Sequence, residues 1–209
     1  MPLVKCKAES LDLTANYTFT GDVSLSGGGA LNLIFTQTAS SSSSISFTTG
    51  IDSTYDEYWF IFNNMHPATN SAYFHFQGST NGGSSYNTTI TSTYFSAYHS
   101  ESDAAAGITY VTADDKAQGT DYQTLADQVK NDNDTSVSGI LKLYNPSSTT
   151  YVKHFMSVFS NANSSDVSTR LTTAGYFNTT SPINAIDFKY SSGNTDDGTI
   201  QMFGVSKWV

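Results

Sequence analysis

The chain has 209 residues, 38% hydrophobic and 13% aromatic, which suits one domain with a sizeable core. Only 13% are charged, about half the usual share, and 9 Lys+Arg against 18 Asp+Glu give a formal net charge of -9, unsuited to a nucleic-acid binder held by phosphate contacts. One cysteine excludes a disulfide scaffold, no apolar run approaches the ~18 residues of a membrane span, and 13 Tyr with 13 Phe do not fit a disordered tail.

The N-terminal stretch MPLVKCKAESLDL lacks the apolar core of a secretory signal. The expectation is a protein made in a cytoplasm that stays there or leaves by assembly or lysis. Cys6 reads as a small half-buried residue, because a reactive thiol needs a nearby base and none is evident. Residues 1–30 read as an extended arm and 31–209 as the folded domain. The arm carries Leu11, Leu13, Tyr17, Phe19, Val23 and Leu25, too many apolar groups for a solvated tail. They are candidate docking residues that pack on the domain or on another chain. The run Ser40 to Ser44 reads as a flexible connector. Five Asn-x-Ser/Thr triplets, beginning at Asn16, Asn87, Asn133, Asn163 and Asn178, are expected by chance in so Ser/Thr-rich a chain and read as unglycosylated.

From residue 32 onward the signal is period two or short aromatic runs, bounded by Gly, Asn, Asp, Ser and Pro. Predicted strands are Asn32–Thr38, Ser44–Thr49, Glu57–Met65, Ala72–Gln77, Thr88–His99 and Gly107–Val111. Tyr122 to Lys130 is the one stretch that could form a helix, of two turns at most. Strands resume at Val137–Tyr144, Thr150–Ser160, Val167–Phe177, Ile183–Tyr190 and Thr199–Val205. Turn signals are Asn81-Gly82-Gly83, Asn145-Pro146, Ser192-Gly193-Asn194, and Asp197-Gly198 before the last strand. Many strands without interleaved helices predict an all-β fold, an antiparallel β-sandwich of jelly-roll type with an extended N-terminal arm.

Alternation sets the faces. Ile186, Phe188 and Tyr190 fall on one side of their strand, Asp187 and Lys189 on the other. Leu141 and Leu143 point in and Lys142 out. Tyr58 to Phe62 is apolar on both sides, which predicts a central strand or one covered by an arm or a neighbouring subunit.

Chemistry-bearing patterns are sparse. His66, His75, His99 and His154 form no ligand spacing for zinc. Asn131 to Asp134 is the best calcium-loop candidate but lacks a closing glutamate, and it reads as a solvated loop, like Asp114-Asp115 and Asp196-Asp197. Asp56 and Glu57 are adjacent and would lie on opposite faces of a strand, unlike a glycosidase pair. Neither a Gly-x-Ser-x-Gly elbow nor a phosphate loop occurs. The expectation is a non-enzyme with no catalytic, metal or cofactor-binding residues. Tyr86, Tyr94, Tyr98 and Tyr122 flank polar loops and are candidate ligand-stacking or interface aromatics; Trp208, beyond the last strand, caps the domain or an interface.

Several blocks together carry a resemblance: Ile45 to Tyr58 with His66-Pro67-Ala68-Thr69, Leu141 to Tyr151, Ala174-Gly175-Tyr176-Phe177, Ile183 to Phe188, Ser191 to Asn194 and Gly198 to Val205. Over about residues 44–206 the chain resembles a group of structural proteins abundant in marine tailed bacteriophages. Leu13 to Ser24 is similar to short β repeats in phage fibres. The resemblance implies a non-enzymatic virion structural protein on the particle's exterior, a capsid decoration or cement protein or a short appendage docked by its arm. It implies other virion proteins as partners, a homo-oligomer, usually a trimer, and location in the virion after synthesis in the host cytoplasm, with no membrane or nucleic-acid partner. The alternative is a tail-fibre or receptor-binding protein whose β-sandwich binds a host-surface glycan.

Overall fold

A chain that alternates apolar and polar side chains buries one face of each strand, and two sheets laid face to face do this at once. The computed structural model describes residues 30–206; the arm residues Leu11, Leu13, Tyr17, Phe19, Val23 and Leu25, together with Cys6 and Trp208, lie outside the described residues. The strands in order are β1 (Leu31–Thr38), β2 (Ile45–Phe47), β3 (Glu57–Pro67), β4 (Ala72–Ser79), β5 (Ile90–Ser100), β6 (Ala106–Tyr110) and β7 (Ala117–Gly119). They continue with β8 (Gln123–Val129), β9 (Val137–Tyr144), β10 (Lys153–Ala162), β11 (Val167–Phe177), β12 (Ala185–Tyr190) and β13 (Thr195–Val205). A nine-stranded sheet runs β1-β13-β3-β9-β10-β11-β5-β6, with β7 also on β5, and a four-stranded sheet runs β2-β12-β4-β8. All pairings are antiparallel, and the two sheets pack as a β-sandwich.

Phe188 of β12 anchors the contact between the sheets. Its ring centroid lies 4.9 Å from Phe62, 5.4 Å from Phe60, 6.2 Å from Phe47 and 6.3 Å from Phe74. Phe76 of β4 extends the cluster to Phe155 and Phe177 of the large sheet, at 5.0 Å and 6.0 Å. These rings are buried and mostly meet edge to face, which adds to simple area burial.

Several sequence expectations change. Tyr122 to Lys130 is not a helix: β8 pairs with β4 through two register shifts, so Gln123, Thr124, Leu125 and Ala126 are all buried in succession. A bulge puts neighbouring residues on one side, and the resulting apolar spacing mimics a helical turn. Asp197-Gly198 is a bulge inside β13 rather than a turn before it, and Gly198 adopts φ +121. The serine run is pinned rather than loose: Ser42 N–H donates to Thr195 O at 2.8 Å, Thr195 N–H donates back at 2.8 Å, and Asn194 Nδ2 donates to Ser41 O at 2.8 Å.

Leu141 and Leu143 point inward and Lys142 outward. Asp187 does not face solvent with Lys189; it is buried under Ser46 and Tyr122, whose hydroxyls donate to its carboxylate at 2.5 and 2.8 Å. β3 is internal, between β13 and β9, with Tyr58, Phe60 and Phe62 in the core and Trp59 and Ile61 half-buried on the outside.

Candidate functional site

Two surfaces stand out, one on each side of the large sheet. The first follows from unequal sheet widths. β8 is the last strand of the small sheet, and it packs over β10 and β11. The inner faces of β5 and β6 extend past it, and the segment from Val111 to Tyr122 runs along the edge of β5, where Val111 N–H donates to Tyr94 O and Ser92 N–H donates to Lys116 O, both at 2.9 Å. That segment is held by Gln123, whose carboxamide oxygen accepts from Ser92 Oγ at 2.5 Å while its nitrogen donates to Asp114 O at 2.8 Å. Ser92 Oγ in turn accepts from Lys116 N–H at 2.9 Å.

A groove has two limbs that meet at Tyr73 and Asp114, the first in this overhang and the second on the outward side of the small sheet, where His75 and Lys189 pair. One limb, about 460 Å³, is lined by Tyr98, Thr109, Asp127, Asn163 and Thr169. The other, about 470 Å³, is lined by His75, Lys116, Asp121, Tyr122 and Lys189. Lys189 Nζ stands 3.9 Å from the centre of the Tyr122 ring.

The junction holds two carboxyl groups. Burial pushes Asp127 up to about 6, and the charge of Asp114 adds to that. Burial also raises Asp114, against the pull of the Thr124 hydroxyl, which donates to it at 3.0 Å, and of Lys116. Their charges, after burial, hold the Tyr73 and Tyr94 hydroxyls protonated. On the other limb burial drives His75 down to about 4, helped by Lys116 and Lys189. The groove thus sets tyrosine rings among interleaved hydrogen-bond donors and acceptors.

No family model, no curated protein and no solved structure matches this chain.

Of the predicted aromatics, the structure brings Tyr98 and Tyr122 into this groove, in opposite limbs. Tyr94 is a correction: it shares the inward face of β5 with Ile90 and Ser92, is fully buried, and cannot touch a surface ligand. Tyr86 is half-buried beside Gly83 and lines neither limb, although its hydroxyl neighbours Asp187 and Tyr122. Tyr73 and Asp127 were not singled out from sequence. The legible signal for Tyr73 was its place, with His75, on the polar side of a strand whose other side is Phe74 and Phe76. In the Asn131 to Asp134 loop, Asp132 pairs with Lys130 at 2.9 Å, and Lys130 also reaches Asp166 at 2.5 Å. Among the described residues no group of three or more His, Cys, Asp or Glu could hold a metal.

The second surface is the outer face of the large sheet. Cross-strand pairing aligns Leu33, Phe203, Trp59, Lys142, Met156, Ala174 and Thr93 in one row. The next row is Gln201, Ile61, Ile140, Val158, Thr172, Phe95 and Tyr110. A third, on the other side of the first, includes Leu31, Val205, Glu57 and Tyr144. Leu33 is 54% exposed, Met156 51% and Phe95 41%. Trp59 ties down both charges within reach: its indole N–H donates to Glu57 at 2.5 Å, and Lys142 Nζ lies 3.8 Å from its ring centre.

Proposed function

We propose that this β-sandwich is of jelly-roll type and is a non-enzymatic virion structural protein on the exterior of a tailed bacteriophage, a capsid decoration protein or short appendage docked by its N-terminal arm. The observation that carries the reading is the outer face of the large sheet. Three mainly apolar rows across it are far more than scattered surface residues, and a patch of that extent marks a surface meant to be covered. Assembly into a particle covers it. The sequence resemblance and the low charge content point the same way. The test is immunogold electron microscopy of purified virions with antibody raised against the domain. Label over the head identifies a decoration protein and label on the tail an appendage; virions without label refute the reading.

The groove favours a second reading, a receptor-binding protein that stacks a host-surface glycan on Tyr73, Tyr98 or Tyr122. Its test is a glycan array under multivalent display, with Tyr98→Ala and Tyr122→Ala as controls. Binding that both variants abolish supports this reading, and no binding removes it.

A further inference from the structure

We infer that the apolar outer face of the nine-stranded sheet is the contact surface for a second copy of this chain, packed face to face about a two-fold axis. This rests on the assembly reading above and names the partner.

The size fits. Eight strands at ~4.8 Å spacing and three rows of side chains ~7 Å apart span roughly 34 by 20 Å. That is about 700 Å² per copy, or about 1,400 Å² buried in the pair, within the range of stable interfaces and above the largest patch of a typical monomer.

The charge fits as well. The whole chain carries -9, so most of its surface repels a second copy. Among Asp, Glu, Lys and Arg the three rows carry only Glu57 and Lys142, which cancel and are both tied to Trp59, and His154 follows Tyr144 in the third row. This is a neutral, aromatic-centred surface on an acidic protein, and two such surfaces can meet without bringing net charges together. Trp59 sits in the middle row, where a desolvated aromatic anchor contributes most.

A sheet is also the kind of partner such a face needs. A single extended segment laid across the strands would cover one strip and leave its own N–H and C=O groups without partners. The outer face of another copy has its backbone already paired. Two twisted sheets pack in this way at about -30° and ~10 Å apart, as in the interior of any sandwich.

The test is light scattering on the full 209-residue chain at micromolar concentration, in low and in molar salt. The expected mass is twice the 22.5 kDa of one chain, in both salts. The double variant Phe95→Glu, Met156→Glu replaces two side chains already exposed in the single chain. It is expected to weaken the pair at least about 100-fold and run as one chain, with an unchanged circular dichroism spectrum. Thr93→Arg, at a site already polar and exposed, is expected to weaken it about tenfold and serves if the double variant misfolds. A monomeric wild type, a trimer, or a dimer that survives these variants overturns the inference. A monomer that still labels virions leaves the assembly reading standing without the pair; a dimer absent from virions does the reverse.

Discussion

His75 and Asp127 titrate in the same pH window with opposite effects on stability, and removing either should expose the other. Asp127 has its folded pKa raised to about 6 from 3.8 by burial, then by Asp114. Its protonated form suits the fold, so the stability it contributes is present below about pH 4 and is lost as pH rises through 6. His75 has its folded pKa lowered to about 4 from 6.5 by burial, then by Lys116 and Lys189. Its neutral form suits the fold, so stability is present above about pH 6.5 and is lost as pH falls through 4. At ~1.4 kcal/mol per unit, each is worth about 3 kcal/mol. The wild-type profile between pH 4 and 6.5 should therefore be nearly flat, tilted slightly by Asp114, which acts in the same direction as Asp127. Asp127→Asn should lose about 3 kcal/mol on going from pH 6.5 to 4, and His75→Gln should gain about as much over that change. The assay is urea unfolding followed by fluorescence at half-unit pH steps. With a slope of ~2 kcal/mol per molar, the midpoint of Asp127→Asn moves by about 1.5 M. An Asp127→Asn profile as flat as the wild type's would refute the reasoning.

Phe188→Ala removes the ring at the centre of the sheet contact and should cost about 3–5 kcal/mol, against ~1.5 for Phe188→Leu, both read from urea midpoints. Gly175→Ala would place a Cβ 2.5 Å from Thr91 O and 2.7 Å from Phe155 Cζ, and should cost about 1–3 kcal/mol. Gly82→Ala meets nothing within 4 Å but sits at φ +70, so its cost should be only about 1 kcal/mol, and a larger loss would mean an unrecognised contact. Ile108→Ser, at a residue 79% exposed, should leave the melting transition of the single chain within about 0.5 kcal/mol of wild type.

Strands were legible wherever period-two alternation ran unbroken. Val137–Tyr144 and Val167–Phe177 have the boundaries read from sequence, and the doubly apolar Tyr58 to Phe62 is indeed internal to its sheet. The sequence misled at β8, where bulged pairing buries Gln123 to Ala126 together, and at Asp197-Gly198, where a turn-like dipeptide serves a bulge. Three-residue β7 has too few positions to show any period. The groove was half legible. Tyr98 and Tyr122 could be picked as loop-flanking rings, but they lie 24 positions apart, and only the fold places them in two limbs joined at Tyr73 and Asp114. Tyr94 differs from Tyr98 by four residues on the same face of β5; Tyr94 is fully buried and Tyr98 is 36% exposed, a distinction that no local pattern encodes.

The Tyr98 limb of the groove exists because four strands are laid on nine. A fifth strand beside β8 would erase it, and a longer or shorter Val111–Tyr122 segment would reshape it, in neither case disturbing Phe188 and its neighbouring rings. The shape of the groove and the folding of the core are therefore separable here. Residues 111–122 can diversify, under selection or in a designed library, on a scaffold whose phenylalanine cluster stays the same.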